Sequence, residues 1–422
     1  MGFGLFYSYS EYENKTLKGK YGGFNPFAKG NEYIFQPGWE NDFSDMNAYN
    51  KFAYSLIEFG EFRNAYGHPS AFITPGLPLV LALIYFVFGY GFIPVLIFNA
   101  LCITFAYYFL FLISNYLFNR ETGYLLLIFS LLNLKVALLN ASVWTEPLFI
   151  LLLSAMLFIV VKIIFLNEKK FYLFAILGFL TGYNILVRPI VIPLVLFILV
   201  LFIFYRTGLK NYSIYILLVL VIPSIWIYRN YVIFDRILLS SASEVNNIYT
   251  DYEKYRNISI FNTYSNDIAL RRNFDELKPL IDKAIEISPD GDFEKCGDLF
   301  VNDFKSWVEK NKLFYIKICI WRFKALLLPY TADMSKRNII LSTIIWFFTF
   351  FPVLVGIFLN YKNKYYLILF IVGILLLIIP SLSVVDKYLR YQVPTHIIFT
   401  LLSSYTVISV LNYYKKINRK PR

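Results

Sequence analysis

The sequence has little of what most aqueous enzymes use for chemistry. Of 422 residues, two are histidine (His68, His396) and three are cysteine (Cys102, Cys296, Cys319). Two imidazoles leave small scope for histidine acid–base work. Three thiols cannot build a disulfide framework, and no Cys-x-x-Cys pair or His/Cys cluster marks a metal site. A Gly-rich phosphate loop is also missing, so nothing points to a bound nucleotide. Charge is scarce as well: 16% of residues are Asp, Glu, Lys or Arg, against about 25% in ordinary soluble domains. What the chain has instead is 58% hydrophobic and 20% aromatic residues, with a mean hydropathy of +0.55. A single aqueous core could not bury so much Leu, Ile, Phe and Tyr, which excludes a soluble globular enzyme. Carboxylates and arginines are left to carry any catalysis.

A membrane-spanning helix needs about 20 mostly apolar residues. Such runs occur at Phe92–Phe118, Gly123–Ser142, Glu146–Leu166, Phe171–Val187, Pro189–Tyr205, Tyr212–Phe234, Ile339–Leu359, Tyr365–Leu382 and Tyr391–Asn412. A tenth apolar stretch, Phe72–Tyr90, opens with Pro75, Gly76 and Pro78 and either spans or lies flat on the membrane. The fold class read from this pattern is an all-α polytopic membrane protein of about nine to ten spans. The hydrophilic segments Ser10–Ser70 and Asp235–Arg337 interrupt it. The second is long enough for a small outer soluble domain, with helix-like stretches at Asp267–Ile287 and Asp298–Lys312. Leu313–Leu328 then reads as an amphipathic helix lying in the membrane interface.

The net charge of +12 would suit a polyanion-binding surface, but its placement argues otherwise. With Phe92–Phe118 running inward, the inner loops and tail hold 13 basic residues and two acidic ones, Glu121 and Glu168. Residues 1–70 are net acidic, with six basic and eight acidic side chains, and residues 235–337 carry 16 of each. Cytoplasmic loops collect Lys and Arg, so the excess is a topogenic signal and no nucleic-acid partner is expected. The orientation puts residues 1–70, the turn at Glu146 and residues 235–337 outside the plasma membrane. It requires Phe72–Tyr90 not to cross. Met1–Tyr9 is apolar but too short to cross, and a first helix is expected to be missing ahead of it.

Ionisable groups at membrane depth are expensive and are functional candidates by default. Asp45 opens a run in which Tyr49, Ala53 and Leu56 follow at helical spacing. It is either an N-cap carboxylate or a general base. Glu146 follows Trp144-Thr145 and precedes Pro147; an acid with Pro in the first turn suits a helix start, and it is also a second acid on the outer surface. Arg188, Arg229 and Arg390 sit at the outer ends of separate spans. Each alone could snorkel to headgroups, whereas together they suit a phosphate clamp. Lys135 reads as a snorkelling or helix-pairing residue, and Asn14-Lys-Thr16 has only the form of a glycosylation acceptor.

In this order the pieces resemble glycosyltransferase family 39, the group of polytopic enzymes that includes protein O-mannosyltransferases and lipid A aminoarabinose transferases, within the GT-C superfamily. The resembling residues are Asp45-x3-Tyr49-x3-Ala53-x2-Leu56 with Gly60, Pro75-Gly76-Leu-Pro78, Thr145-Glu146-Pro147, Gly178-x3-Gly182 leading to Arg188-Pro189, Pro223 to Arg229-Asn230-Tyr231, Trp307 to Trp321-Arg322-Phe323, and Arg390-Tyr391-x2-Pro394. The likeness runs from Asp45 to Pro394. It departs in a long insertion at about Glu11–Asn41 and in lacking a basic residue immediately before Pro75.

The resemblance implies in-plane juxtamembrane helices in an outer loop and transfer of a sugar from a polyprenyl-phosphate donor, with inversion, to an extracytoplasmic protein, lipid or glycan. It implies Asp45 as the catalytic base, Glu146 as a supporting acid, and Arg188, Arg229 and Arg390 on the donor phosphate; Tyr49, His68 and Lys387 are further candidates for donor or acceptor contacts. No cofactor is required. A divalent cation, if used, would sit at Asp45 and Glu146. The expected organisation is an outer loop with juxtamembrane helices over 1–91, a six-helix catalytic module over 92–234, an extracytoplasmic domain over 235–337, and three helices with a basic tail over 338–422. A flippase or transporter of lipid-linked saccharides, or a polymerase or ligase using diphosphate-linked donors, stands as the alternative.

Overall fold

A computed structural model describes residues 45–63, 68–131, 133–241, 283, 286–287, 293–329, 336–383 and 389–418. The Glu11–Asn41 insertion, Asn14, most of Asp267–Ile287, and Lys387 with its neighbours lie outside the described residues. The chain is an all-α multi-pass membrane protein. In chain order the helices are α1 (Asp45–Phe59), α2 (Gly76–Phe88), α3 (Phe92–Leu117), α4 (Arg120–Leu131), α5 (Leu134–Asn140), α6 (Glu146–Ile164), α7 (Phe171–Val187), α8 (Ile192–Phe204), α9 (Leu209–Phe234), α10 (Phe293–Lys310), α11 (Lys312–Leu326), α12 (Lys336–Thr349), α13 (Phe351–Leu359), α14 (Lys364–Ser383) and α15 (Val393–Asn418). Short 3-10 turns at Pro189–Val191 and Leu389–Gln392 precede α8 and α15.

Among the described residues six helical stretches are long and apolar enough to cross a membrane: Phe92–Leu117, Glu146–Ile164, Leu209–Phe234, Ile339–Leu359, Lys364–Leu382 and Arg390–Asn418. Gly76–Phe88, Phe171–Val187 and Pro189–Phe204 are shorter apolar helices. Side chains such as Leu196, Ile203, Ile225 and Phe358 stand exposed on them, which is tolerable only against lipid. One expectation changes and one open alternative is narrowed. The run Gly123–Ser142 is not one span but two helices, α4 and α5, parted before Asn133. Asn133 is buried, and its Oδ1 accepts the backbone N–H of Val136 at 3.3 Å. An Asn that bonds its own backbone ends one helix and caps the next. The stretch Phe72–Tyr90 yields only the 13-residue α2, about 20 Å long at 1.5 Å per residue, too short for a bilayer core of about 30 Å.

α6 is the centre of the bundle, buried along nearly its whole length. It lies between α3 and α7. α7 in turn packs on α9, where small residues set the approach. A Cβ at Gly178 would meet the Tyr215 carbonyl oxygen at 2.8 Å, and one at Gly182 the Leu218 carbonyl oxygen at 2.8 Å. This Gly-x3-Gly face lets two backbones touch, as membrane helices do where side chains would hold them apart. α14 and α15 close the other side against α4, α8 and α13.

The two ends of the bundle differ in chemistry. At one end Lys162 pairs with Glu168 at 3.2 Å, Lys169 Nζ donates to the Tyr205 carbonyl at 3.3 Å, and Lys364 lies near the rings of Phe165, Tyr205 and Tyr365. α6 starts at Glu146 and ends at Ile164, about 28 Å later, so Glu146 belongs to the opposite end.

Candidate functional site

At that opposite end, three chain segments converge. The turn before α6 contributes Trp144, Thr145 and Glu146, the junction after α7 contributes Arg188, and the 3-10 turn before α15 contributes Arg390 and Tyr391. Glu146 is completely buried and Arg188 is 6% exposed; an Arg188 Nη1 hydrogen bond and ion pair joins it to Glu146 Oε1. Thr145 Oγ1 is 3.5 Å from the other carboxylate oxygen. A buried carboxylate is tolerated only when its charge is answered, and here the answer comes from a helix 42 residues further on.

Tyr391 links this pair to the third arginine. The Arg188 guanidinium carbon lies 4.6 Å from the Tyr391 ring centre, and that of Arg390 lies 5.1 Å from the same ring. Arg390 is also 4.6 Å from the Trp144 ring, and its Nη2 is 3.3 Å from Tyr391 Oη. Two guanidinium groups are thus held on aromatic faces, where cation–π attraction replaces part of the lost hydration. Both sit in protein rather than snorkelling, since Arg390 is buried too.

Local structure explains why the segments arrive here. Asn99 of α3 is buried, and its Nδ2 donates to the carbonyls of Asn140 and Ser142 at 3.2 and 2.9 Å, pinning the turn that carries Trp144 and Glu146. Arg188-Pro189 forces α7 to stop, because the residue before proline is pushed to extended backbone; Arg188 has φ −153° and ψ 116°. The start of α2 lies against that stop. A Cβ on Gly76 would fall 2.6 Å from Leu186 and Val187 backbone atoms, and Tyr183 Oη donates to the Gly76 carbonyl at 2.8 Å. α1 is fixed to α2 by the Tyr85 Oη bond to Asn50 Oδ1 at 2.6 Å, with Tyr49, Phe52 and Ala53 buried. Beside this contact, burial first and Glu58 second raise the Tyr90 phenol above its ordinary pKa, so it stays neutral and donates to Glu58.

The remaining sequence candidates fall as follows. Asp45 is the first residue of α1, on the helix that α2 carries against the end of α7. Tyr49 is buried in the α1 core face, and His68 is half-buried in the chain between α1 and α2. Arg229 serves a different set of contacts from the other two arginines. Its Nη1 donates to the Ser70 carbonyl at 2.9 Å and to Asn230 Oδ1 at 2.9 Å, and its Nη2 to the Phe62 carbonyl at 3.2 Å. With Trp226 and Asn230 bonding the carbonyls of Leu239 and Leu238, it ties the chain between α1 and α2 to the chain leaving α9. Among the described residues no three His, Cys, Asp or Glu side chains gather around a common point.

The sequence reading gave Arg322 no site role and put it, with Lys317 and Lys324, on an amphipathic interfacial helix. In the fold it is 6% exposed, while Leu313, Ile316 and Ile320 of α11 face outward. Its position in Trp321-Arg322-Phe323 was the available signal.

Further along α6 runs a narrow, wholly apolar cleft between α6, α8 and α14, lined by Leu153, Leu157, Val161, Leu194, Ile198 and Val372 among others and reaching Phe165 at the basic end. Leu153 is two helical turns from Glu146.

No family model matches the chain, and no curated protein matches it. A solved structure that matches is described as ArnT from Cupriavidus metallidurans bound to undecaprenyl phosphate; it is 15% identical, with 90% of this chain and 76% of that chain covered and a TM-score of 0.40. A likeness at that level decides neither the fold nor the chemistry of this chain.

Proposed function

We propose that the chain is a membrane glycosyltransferase of the GT-C, family 39-like kind, moving a sugar from a polyprenyl-phosphate donor to an extracytoplasmic acceptor with inversion. The observation that carries the reading is the buried group of Arg188 and Arg390 on one tyrosine ring, with an apolar cleft beginning two helical turns further along α6. A lipid donor needs both parts, cations for a phosphate at the membrane surface and an apolar path for its tail. In this reading Asp45 takes the proton from the acceptor hydroxyl, the acceptor oxygen bonds the anomeric carbon from the face opposite the phosphate, and the C–O bond to phosphate breaks. The polyprenyl phosphate leaves with the bonding pair, and the arginines stabilise the charge that grows on it.

Glu146 does not serve as a second base here. It is the anchor that orients Arg188 and keeps that guanidinium buried. The active site faces outward, at the end away from the basic loops, and the division into 1–91, 92–234, 235–337 and 338–422 belongs to the same reading. The test is direct: purified protein is given a panel of polyprenyl-phosphate sugars with membrane extracts as acceptor source. Consumption of one donor is expected, and Asp45→Asn should abolish it while expression and membrane insertion are kept. Wild-type turnover by that variant would remove Asp45 as base. Chelation with EDTA in the same assay decides whether a divalent cation takes part.

A further inference from the structure

The arginines of this end differ in how their charge is met. Arg188 has Glu146, while the half-buried Arg229 has two backbone carbonyls and Asn230. Arg322 has one acceptor, the Leu382 carbonyl at 3.1 Å from Nη1, and its buried Nε has no partner. Among the described residues no carboxylate pairs with it. Its described neighbours Tyr315 and Cys319 do not supply one. The Tyr315 phenol is pushed up to about 12, chiefly by burial and further by Cys319, with Arg322 pulling the other way. Burial likewise raises Cys319. Both stay neutral at physiological pH, and Tyr315 Oη already donates to the same Leu382 carbonyl at 2.8 Å. A guanidinium in protein with one carbonyl bond is an expensive arrangement unless an anion completes it.

Its place in the fold says which anion. Gln392, next to Tyr391, sends Nε2 to the carbonyls of Ala325 and Leu328 at 3.4 and 3.1 Å. Ala325 is one helical turn from Arg322 on α11, so the turn that carries Arg390 and Tyr391 is docked beside Arg322. A planar fork with free N–H donors fits a phosphate oxygen pair better than a lone ammonium would.

We propose that Arg322 is a phosphate-binding residue of this site, completing from α11 the cationic wall begun by Arg188 and Arg390, and that its ligand is the phosphate of the lipid donor. The inference rests on the glycosyltransferase reading above. The experiment measures melting temperature and binding for full-length protein in detergent with a polyprenyl phosphate, the corresponding polyprenol, or inorganic phosphate. Wild type should be stabilised by the polyprenyl phosphate and by neither control at equal concentration. Arg322→Met should melt no lower than wild type without lipid, because a buried unanswered charge is gone. It should lose most of the lipid-induced shift and bind the polyprenyl phosphate at least ~10-fold more weakly, the worth of a charge-assisted bond.

A purely structural role would do the reverse, lowering the lipid-free melting temperature and sparing affinity, and would overturn the proposal. Arg322→Lys keeps the charge without the fork and should bind several-fold more weakly; unchanged affinity in it overturns the proposal even if the Met variant does not fold. An equal shift from inorganic phosphate would overturn the assignment to a lipid. Wild type that ignores the polyprenyl phosphate sinks the glycosyltransferase reading and this inference together, whereas wild-type binding with undiminished binding by Arg322→Met sinks this inference alone.

Discussion

Glu146 and Arg188 form a pair whose two members have little value apart. With Glu146 completely buried, changing it to Gln strands a guanidinium in a dry site. Breaking a buried pair from one side costs about 3–5 kcal/mol, so Glu146→Gln should lower the melting temperature of the purified protein markedly as well as abolish transfer. Adding Arg188→Met removes the stranded charge, and the double variant should regain most of the lost stability while remaining inactive. A double variant as unstable as the single one would mean that the pair does not act as a unit. The same reasoning shows what could be read from the residues beforehand. The Thr145-Glu146-Pro147 and Arg188-Pro189 positions announce polar groups at helix ends, but only the fold shows them to be each other's counter-charge. Arg229 and Arg322 look alike in sequence, each a cation in an aromatic-rich run. Which one has its hydrogen bonds satisfied depends on the carbonyls of Phe62, Ser70 and Leu382, which lie 60 or more residues away.

At the scale of helices, hydropathy locates the long spans to within a few residues, because lipid imposes one requirement on every residue of a span. It fails where one polar side chain redirects the backbone, as Asn133 does between α4 and α5. It is also silent about close packing, which glycines report only when the opposing backbone is known. Gly76 is the sharpest case. A methyl group there would lie 2.6 Å from backbone atoms of Leu186 and Val187, which cannot swing aside as a flexible side chain would. Gly76→Ala must therefore push α2 off the end of α7, at about 1–3 kcal/mol for overpacking. Arg188 is the next residue, so the variant should insert normally, melt lower, and lose transfer activity by more than its loss of folded protein explains. Activity that simply tracks the folded fraction would show that the α2 contact does not position the site.

For the molecule as a whole, the distribution of charge and the arrangement of helices point the same way. The lysines and arginines of the short loops gather at one end with Glu168 and an aromatic set. The other end holds Glu146, the buried arginines and the docked helices α1 and α2. If cytoplasmic loops collect basic residues, the site end is outside, where a lipid-linked sugar would be met without nucleotide. Exposed positions test this without touching the machinery. Glu146 itself is useless as a label site because it is buried, but Ile237 stands 82% exposed near the site end, and Lys210 is exposed at the basic end. In a background with Cys102, Cys296 and Cys319 replaced, Ile237→Cys should react with a membrane-impermeant maleimide in intact cells. Lys210→Cys should react only after the membrane is opened. The opposite pattern would turn the molecule over, placing Arg188, Arg390 and Arg322 on the cytoplasmic surface and ending any role in building glycans outside the cell.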